Sequence, residues 1–158
     1  MAGDSPAATH RVTVGPAGAI RPVAAAVIRE GDRLLVWEDR DPATGQVVTV
    51  PLAGGIEFGE TGAEAIAREL QEEIGQTAAR VDFLGVFEDI FMWNGRRRHE
   101  LYLVYDVALA GEGVAHLDKV VVREDDGESY LARWRTLDEL RGPARLAPDG
   151  LLDLIQRA

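Results

Sequence analysis

The chain has 158 residues, no cysteine and a formal net charge of −10. This length suits one domain with its own core, and the lack of cysteine excludes disulfides, thiol catalysis and thiolate metal sites. An acidic chain repels the phosphate backbone of nucleic acids, so no nucleic-acid partner is expected. No apolar run reaches the roughly 18 residues that a membrane span requires, so no membrane partner is expected either.

The N-terminal segment, residues 1–19, is rich in Ala, Gly, Pro and Thr. It lacks the basic start and the apolar stretch of a secretory signal. We therefore expect a mostly disordered leader and a cytoplasmic protein. The remaining residues, 20–158, show no internal repeat and no linker, which predicts a single domain.

The first part of this domain is predicted to consist of strands and turns. Pro22–Glu30 and Leu34–Trp37 are expected to pair as antiparallel strands across the Gly31–Asp32 turn. A polar loop over Glu38–Gly45 then leads to a short β-branched strand, Val47–Val50.

A glycine-rich loop, Leu52–Thr61, leads into the clearest helix of the chain. This helix spans Gly62–Ile74, and Gly75 is expected to close it. It carries an apolar stripe that should face the core. The residues of the stripe are Ala63, Ile66, Ala67, Leu70 and Ile74.

The second part of the domain contains further strands and a second helix. The predicted strands are Val81–Phe87, Leu101–Ala110 and Tyr130–Trp134. A turn is expected at Asn94–Gly95, and residues 111–128 mix turn signals with charge. Thr136–Leu140 has the pattern of a capped helical turn, and Asp149–Arg157 that of an amphipathic helix. Several strands mixed with two or three helices predict α/β layers.

Three carboxylates share one face of the central helix. Glu69, Glu72 and Glu73 are spaced i, i+3 and i+4, so their side chains are neighbours. Like charges at this spacing cost roughly 0.2–0.5 kcal/mol per pair, and a hard divalent cation reverses that cost. The spacing of the three glutamates alone favours a solvated acidic face, and a site for Mg²⁺ or Mn²⁺ is the alternative that the residues before the helix bring forward. Arg68 and Glu64 are expected to form a structural i,i+4 pair.

The loop before the helix indicates a phosphate ligand. Gly54 and Gly55 allow backbone groups to approach a ligand closely, and Glu60 brings a fourth carboxylate toward the same place. The N-terminus of a helix adds free N–H groups and a positive dipole end, which suit phosphate. The loop and the helix together therefore indicate a site where a metal and a phosphate meet.

The segment Gly54–Gln76 resembles the Nudix box, whose pattern is G-x5-E-x7-R-E-U-x-E-E-x-G-U, with U a bulky aliphatic residue. All fixed residues of the pattern and its internal aliphatic residue are present at the required spacing. They are Gly54, Glu60, Arg68, Glu69, Leu70, Glu72, Glu73 and Gly75. Gln76 departs from the pattern, because an aliphatic residue is usual at its position. Since Gln76 follows the helix, we expect altered packing rather than altered chemistry.

The resemblance implies an α/β/α sandwich around a mixed β-sheet over roughly residues 20–157. It also implies hydrolysis of a small nucleotide, a nucleoside diphosphate linked to another group, with a homodimer as one expected assembly. In this family the three helix glutamates would hold the metal, the loop glutamate would assist, and the arginine would orient the glutamates. Those residues are Glu69, Glu72, Glu73, Glu60 and Arg68.

The general base that would take a proton from water is left open. Glu69 and Glu73 are candidates on the helix. The candidates outside the helix are Glu100, Glu124 and Glu128, because family members often recruit the base from a later loop.

The turn that follows the middle strands carries further candidates for substrate binding. Within the basic cluster Arg96–His99, the guanidinium of Arg98 suits substrate phosphates, although a solvated turn is also consistent. Glu100 either points at the metal and substrate or marks an exposed strand start. Phe91–Trp93 is a candidate for stacking on a nucleobase, whereas Trp37 and the third tryptophan, Trp134, are expected in the core.

Two other functions fit the same motif. A sensor domain would bind a nucleotide without cleaving it, but such domains typically have degraded box glutamates and an added DNA-binding region. Decapping of RNA 5′ ends requires a basic track for RNA, which the net charge of −10 disfavours.

Overall fold

The computed structural model describes residues 18–143 and 146–158. The predicted leader therefore lies outside the described residues, except for Gly18 and Ala19. The described residues form eight strands, two α-helices and one 3-10 helix. The strands are β1 (Arg21–Val27), β2 (Arg29–Glu30), β3 (Arg33–Arg40), β4 (Val47–Gly55), β5 (Ala78–Trp93), β6 (Arg96–Leu109), β7 (Lys119–Arg123) and β8 (Ser129–Thr136). The helices are α1 (Gly62–Ile74), the 3-10 turn Glu139–Arg141, and α2 (Leu151–Arg157).

The strands form one mixed sheet in the order β5-β6-β1-β4-β3-β8-β7, with β2 paired to β3. β1 and β6 are parallel, whereas the other neighbouring strands are antiparallel. β4 joins the two halves of the sheet, because residues 52–55 pair with β1 and residues 47–51 pair with β3. The Gly54–Gly55 end of β4 consequently lies beside the start of β1.

Each face of the sheet has its own apolar core. On one face Ala24, Ala26 and Leu52 pack with Ile66 and Leu70 of α1. On the other face the alternate residues of the same strands pack against α2. This second core includes Val23, Ala25, Val104, Leu151 and Ile155. The protein is therefore an α/β/α sandwich around a mixed sheet, which confirms the predicted fold class.

Helix α1 begins and ends as its sequence predicts. Thr61 and Glu64 form a reciprocal capping box, and Gly75 closes the helix in the left-handed conformation. Ile66 and Leu70 of the predicted stripe are fully buried. Glu73 is also buried, which the pattern did not predict for a charged residue.

Several boundaries differ from the predictions because strand pairing extends past local sequence signals. β4 continues through the glycine pair, since residues 52–55 bond to β1. β5 continues from the predicted Val81–Phe87 to Trp93, because β6 pairs with it along its whole length. β7 was missed within residues 111–128, where turn residues surround the alternation of buried Val120 and Val122 with exposed Val121.

The predicted capped turn at Thr136 is present. Glu139 N donates to Thr136 Oγ1 at 3.2 Å, and Thr136 N donates to Glu139 Oε2 at 2.8 Å. Within the described ranges, no helix is long and apolar enough to cross a membrane.

Candidate active site

Glu69 lies directly over Gly54. A Cβ atom at position 54 would overlap the Glu69 carboxyl group, so only glycine leaves room for it there. Gly54 faces α1, whereas the next residue along β4, Gly55, faces Arg21 on the other side of the sheet. Gly54 thus allows the Glu69 carboxylate to pack against the end of β4.

Arg68 connects the loop and the helix. Its guanidinium binds Glu60 through Nη2 at 2.7 Å and Nε at 3.2 Å, and Nη2 also donates to Gly55 O at 3.1 Å. Nη1 contacts Glu69 at 3.0 Å and Glu72 at 3.3 Å. The predicted pair of Arg68 with Glu64 is wrong, because Glu64 instead caps the helix start at Thr61.

The charges of this network follow from its geometry. The hydrogen bonds from Arg68 lower the pKa of Glu60, and those to Glu60 raise the pKa of Arg68. Burial raises the pKa of Glu69 despite its contact with Arg68. The single guanidinium of Arg68 is therefore not enough to keep the pKa of the buried Glu69 carboxyl in its usual range.

Glu73 is the deepest acid of the site. It is 5% exposed, and its Oε2 atom has no hydrogen-bond partner among the residues described. Its side chain hydrogen-bonds to Glu69, and burial together with the neighbouring acids raises its pKa to about 10. A buried carboxylate held against another carboxylate requires a proton or a cation.

Glu124 approaches the helix from the turn between β7 and β8. Burial and the nearby charges of Asp126 and Glu69 raise its pKa to about 7. The hydroxyl of Tyr130 on β8 hydrogen-bonds to it. Among the candidate bases outside the helix, Glu124 is thus brought to the helix glutamates, whereas Glu128 is exposed.

The outer carboxylates are more accessible. The Glu72 side chain is 43% exposed, and Glu60 lies under the guanidinium of Arg68. As the side chains lie, no group of three or more His, Asp and Glu residues in the described ranges has the geometry of a metal site. The predicted metal-binding role of Glu69, Glu72 and Glu73 therefore stays a prediction.

Glu100 lies elsewhere. It is 2% exposed, accepts a hydrogen bond from Tyr102 and pairs with Arg21 at 3.3 Å. Tyr102 belongs to the core on the α2 face, whereas Glu69 lies on the α1 face. The interpretation of Glu100 as an exposed strand start is wrong, and its contacts give no support to substrate binding. The alternation of side chains along β6 predicted that Glu100 shares a face with Tyr102. The pairing of β1 with β6 places Arg21 beside Glu100.

The turn between β5 and β6 is anchored to the rest of the fold. Asn94 N donates to Asp41 Oδ1 at 2.9 Å, and Trp93 is buried in the α1-side core. Trp93 is therefore a core residue and not an exposed stacking surface. Arg98 is half-buried, and its Nε has no hydrogen-bond partner among the described residues. Its predicted contact with substrate stays a prediction.

The aromatic residues expected in the core behave as predicted. Trp37 is buried, and its ring lies 4.0 Å from that of Tyr130. Trp134 is half-buried against the same core and donates to Val114 O at 3.4 Å. Sequence reasoning treated Tyr130 only as a strand residue. The alternation of Tyr130 with Ala132 could have indicated a core position. No local signal in the sequence indicates the contact of Tyr130 with Glu124.

The arrangement of box residues matches a known family of domains. The family model described as NUDIX domain matches residues 19–155 of the chain. The chain belongs to the Nudix family. Members of this family generally hydrolyse nucleoside diphosphates linked to another moiety, and they generally use divalent metal ions, typically Mg²⁺. No curated protein matches this Nudix sequence.

Solved structures show the same fold as this Nudix domain. A MutT Nudix hydrolase from Burkholderia pseudomallei is 27% identical, with a TM-score of 0.64 over 89% of this chain and 99% of the other. The E. coli ORF135 protein is 24% identical, with a TM-score of 0.61 over 90% and 94% of the two chains. A Nudix hydrolase from Nitrosomonas europaea is 23% identical, with a TM-score of 0.58 over 87% of each chain.

Proposed function

We propose that this protein is a divalent-metal-dependent hydrolase that cleaves the diphosphate linkage of a nucleoside diphosphate joined to another group. The observation that carries the proposal is Glu73, a buried carboxylate held against Glu69 with an oxygen that has no hydrogen-bond partner in the described structure. Such an arrangement is unfavourable for folding alone. It becomes favourable when a cation lies between the carboxylates.

The residues present suit Mg²⁺ or Mn²⁺. Both ions prefer carboxylate oxygens, and no soft ligand is needed. Glu69, Glu72 and Glu73 would hold the ion, while Glu60 would assist through Arg68. Glu72 is exposed enough to turn toward Glu69 and Glu73, which lie on the same face of the helix. The cluster has more carboxylates than the single guanidinium of Arg68 neutralises, so a divalent ion also improves its charge balance.

When bound, the metal would screen the anionic diphosphate and lower the pKa of an attacking water. The protein supplies the acceptor for the proton of that water. We assign this role to Glu124, because its pKa near 7 lets it accept a proton close to neutral pH. Glu100 is paired with Arg21 on the other face of the sheet, and the Glu128 side chain is exposed.

Substrate binding would use the same end of the sheet. Gly54 and Gly55 would let the backbone at this edge approach a ligand closely. The guanidinium of Arg98 and those N–H groups at the start of α1 that the capping box of Thr61 and Glu64 does not use are the expected phosphate contacts. A small nucleotide remains the expected substrate, because a net charge of −10 disfavours binding of a long RNA. The cytoplasmic location and the homodimer stay predictions.

The experiment is phosphate release from a panel of nucleoside diphosphate derivatives, with Mg²⁺ and with excess chelator. We expect turnover that requires the metal. Turnover that persists in chelator would contradict the metal-dependent mechanism. Tight nucleotide binding with no release at any metal concentration would favour the sensor alternative instead.

A further inference from the structure

Tyr130 is packed between an aromatic ring and an acid. On one side its ring lies 4.0 Å from that of Trp37, at an interplanar angle of 35°. At its other end the hydroxyl hydrogen-bonds to Glu124. Trp37 lies on β3, pairs with Val50 of β4, and is itself buried in the α1-side core. The phenol is therefore held at a fixed position by the core and presents its hydroxyl at the edge of the carboxylate cluster.

The backbone of Glu124 is held as firmly as its side chain. Glu124 N donates to Glu128 O at 2.9 Å, and Gly127 N donates to Glu124 O at 3.0 Å. These bonds close the turn between β7 and β8, in which Gly127 adopts a positive φ of 85°. Val122 pairs with Tyr130 across the two strands. Both strands of the hairpin thus contribute to the position of one carboxylate.

We propose that Tyr130 is a positioning residue, which uses the Trp37 stack and its hydroxyl to aim the Glu124 carboxylate at the water that attacks the substrate diphosphate. The proposal rests on the proposed function, since it requires that Glu124 act as the base. The hydroxyl occupies one lone pair of Glu124 and leaves the rest of the carboxylate to take a proton. A base must be oriented as well as present, because proton transfer requires hydrogen-bond geometry.

The phenol suits this role because it stays protonated. Burial and the charges of Glu73 and Glu124 raise the pKa of Tyr130 well above its ordinary value. The hydroxyl therefore remains a donor wherever the enzyme works, and the carboxylate remains the acceptor. A phenylalanine keeps the stack on Trp37 and removes only the donor.

The chain contains a matched control on the other face of the sheet. Tyr102 is also buried and also donates its hydroxyl to a glutamate, Glu100. That glutamate is paired with Arg21, away from Glu69 and Glu73. Tyr130→Phe and Tyr102→Phe therefore delete the same kind of hydrogen bond from the two faces.

The experiment compares the two variants in steady-state kinetics and in thermal unfolding. We expect Tyr130→Phe to lower kcat about tenfold and to leave KM within about twofold, because an orienting group for the base acts on the chemical step. We expect Tyr102→Phe to keep the wild-type kcat, while both variants lose a similar, small amount of thermal stability. The Mn²⁺ affinity of Tyr130→Phe, measured by electron paramagnetic resonance, should equal that of wild type, because Tyr130 acts on the base and not on the metal ligands.

A double-mutant cycle with Glu124→Gln makes the test specific. If Tyr130 acts through Glu124, Tyr130→Phe has no further effect on the residual kcat of Glu124→Gln. Effects that multiply in the double variant would overturn the proposal. So would an unchanged kcat in Tyr130→Phe, or an equal loss in Tyr102→Phe.

The outcomes also separate this inference from the proposed function. A wild-type protein that releases no phosphate from any nucleotide with Mg²⁺ or Mn²⁺ contradicts the function, and the positioning role with it. An active wild type whose kcat survives Tyr130→Phe contradicts the positioning role alone.

Discussion

The two faces of the sheet bury the same kind of residue in opposite ways. On the α2 face Glu100 is 2% exposed, and it pairs with Arg21 and accepts from Tyr102. On the α1 face Glu73 is 5% exposed, and its nearest partner is another acid, Glu69. The first acid is satisfied within the fold. The second is not.

This contrast shows that burial of a carboxylate alone does not identify a functional site. An acid that is paired with an arginine contributes to the structure of the folded chain. An acid that is buried against other acids costs stability unless a proton or a cation joins it. The α1 face thus retains an arrangement that is unfavourable for folding, which is expected where binding or catalysis requires it.

The largest expected effect comes from replacing the buried acid of the α1 face, Glu73, by glutamine. Glu73→Gln should fold with nearly wild-type stability, because an amide replaces a carboxyl whose raised pKa already favours the neutral form. It should lose about 100-fold or more of kcat, since the proposed metal ligand is removed. Phosphate release and thermal unfolding of the same preparation measure both effects.

Glu100→Gln is the matched control. It should lose about 1–3 kcal/mol of stability, because the amide leaves Arg21 without its opposite charge, and its kcat should change little. Wild-type turnover in Glu73→Gln would remove that residue from the mechanism. A collapse of turnover in a folded Glu100→Gln would show that the two faces are not functionally distinct.

Alanine substitutions at Gly54 and Gly55 compare the two faces of the sheet by adding one methyl group to each. Gly54→Ala places a Cβ on the Glu69 carboxyl, so we expect at least a roughly tenfold fall in kcat and a loss of about 1–3 kcal/mol in stability. Gly55→Ala meets only Arg21 at 3.4 Å, an ordinary contact, and should lose less kcat than Gly54→Ala. Equal kinetic losses in the two variants would contradict the close fit of Glu69 over Gly54.

The raised pKa values of Glu73 and Glu124 on the α1 face should make the stability of the protein depend on pH. In chelator, Glu73 binds its proton up to a pKa of about 10 in the folded state, against an ordinary value of 4.5. The folded state thus holds more protons than the unfolded state between these values. Stability falls as pH rises through this window, by at most about 1.4 kcal/mol per pH unit for each such group. Glu124 adds to this loss up to about pH 7.

Denaturant melts from pH 5 to 9 in chelator measure this slope. Saturating Mg²⁺ should reduce it, because a cation takes the place of the proton. Glu73→Gln should reduce the slope of stability against pH even when no metal is present. A slope that is the same in wild type and Glu73→Gln would show that another group is responsible.

The smallest expected effect concerns the caps of the two helices. Thr61→Ala removes the capping box of α1 and should cost about 1 kcal/mol, with kcat reduced less than in Gly54→Ala. The N-cap residue of α2, Gly150, provides no side-chain cap, so the stability of this helix depends on packing by Leu151 and Ile155. A large kinetic loss in Thr61→Ala would indicate that the helix start, and not only the carboxylate cluster, controls turnover.

Local patterns in the sequence were sufficient for the elements whose cause is local. The helix over Gly62–Ile74 follows from its apolar period, its capping residues and the glycine at its end. The box residues follow from spacing along one helix and one loop. The full length of β5, by contrast, depends on pairing with β6, and no pattern within residues 88–93 reveals it.

Spacing along the chain thus placed Glu69, Glu72 and Glu73 on one face of one helix, because the helical repeat is a property of consecutive residues. Only the folded sheet decided that Glu124 joins them while Glu100 does not. The register between strands brings Arg21 to Glu100 and carries Tyr130 to Glu124. Such contacts join residues that are distant in sequence, and the burial and neighbouring charges that shift their pKa values exist only in the folded protein.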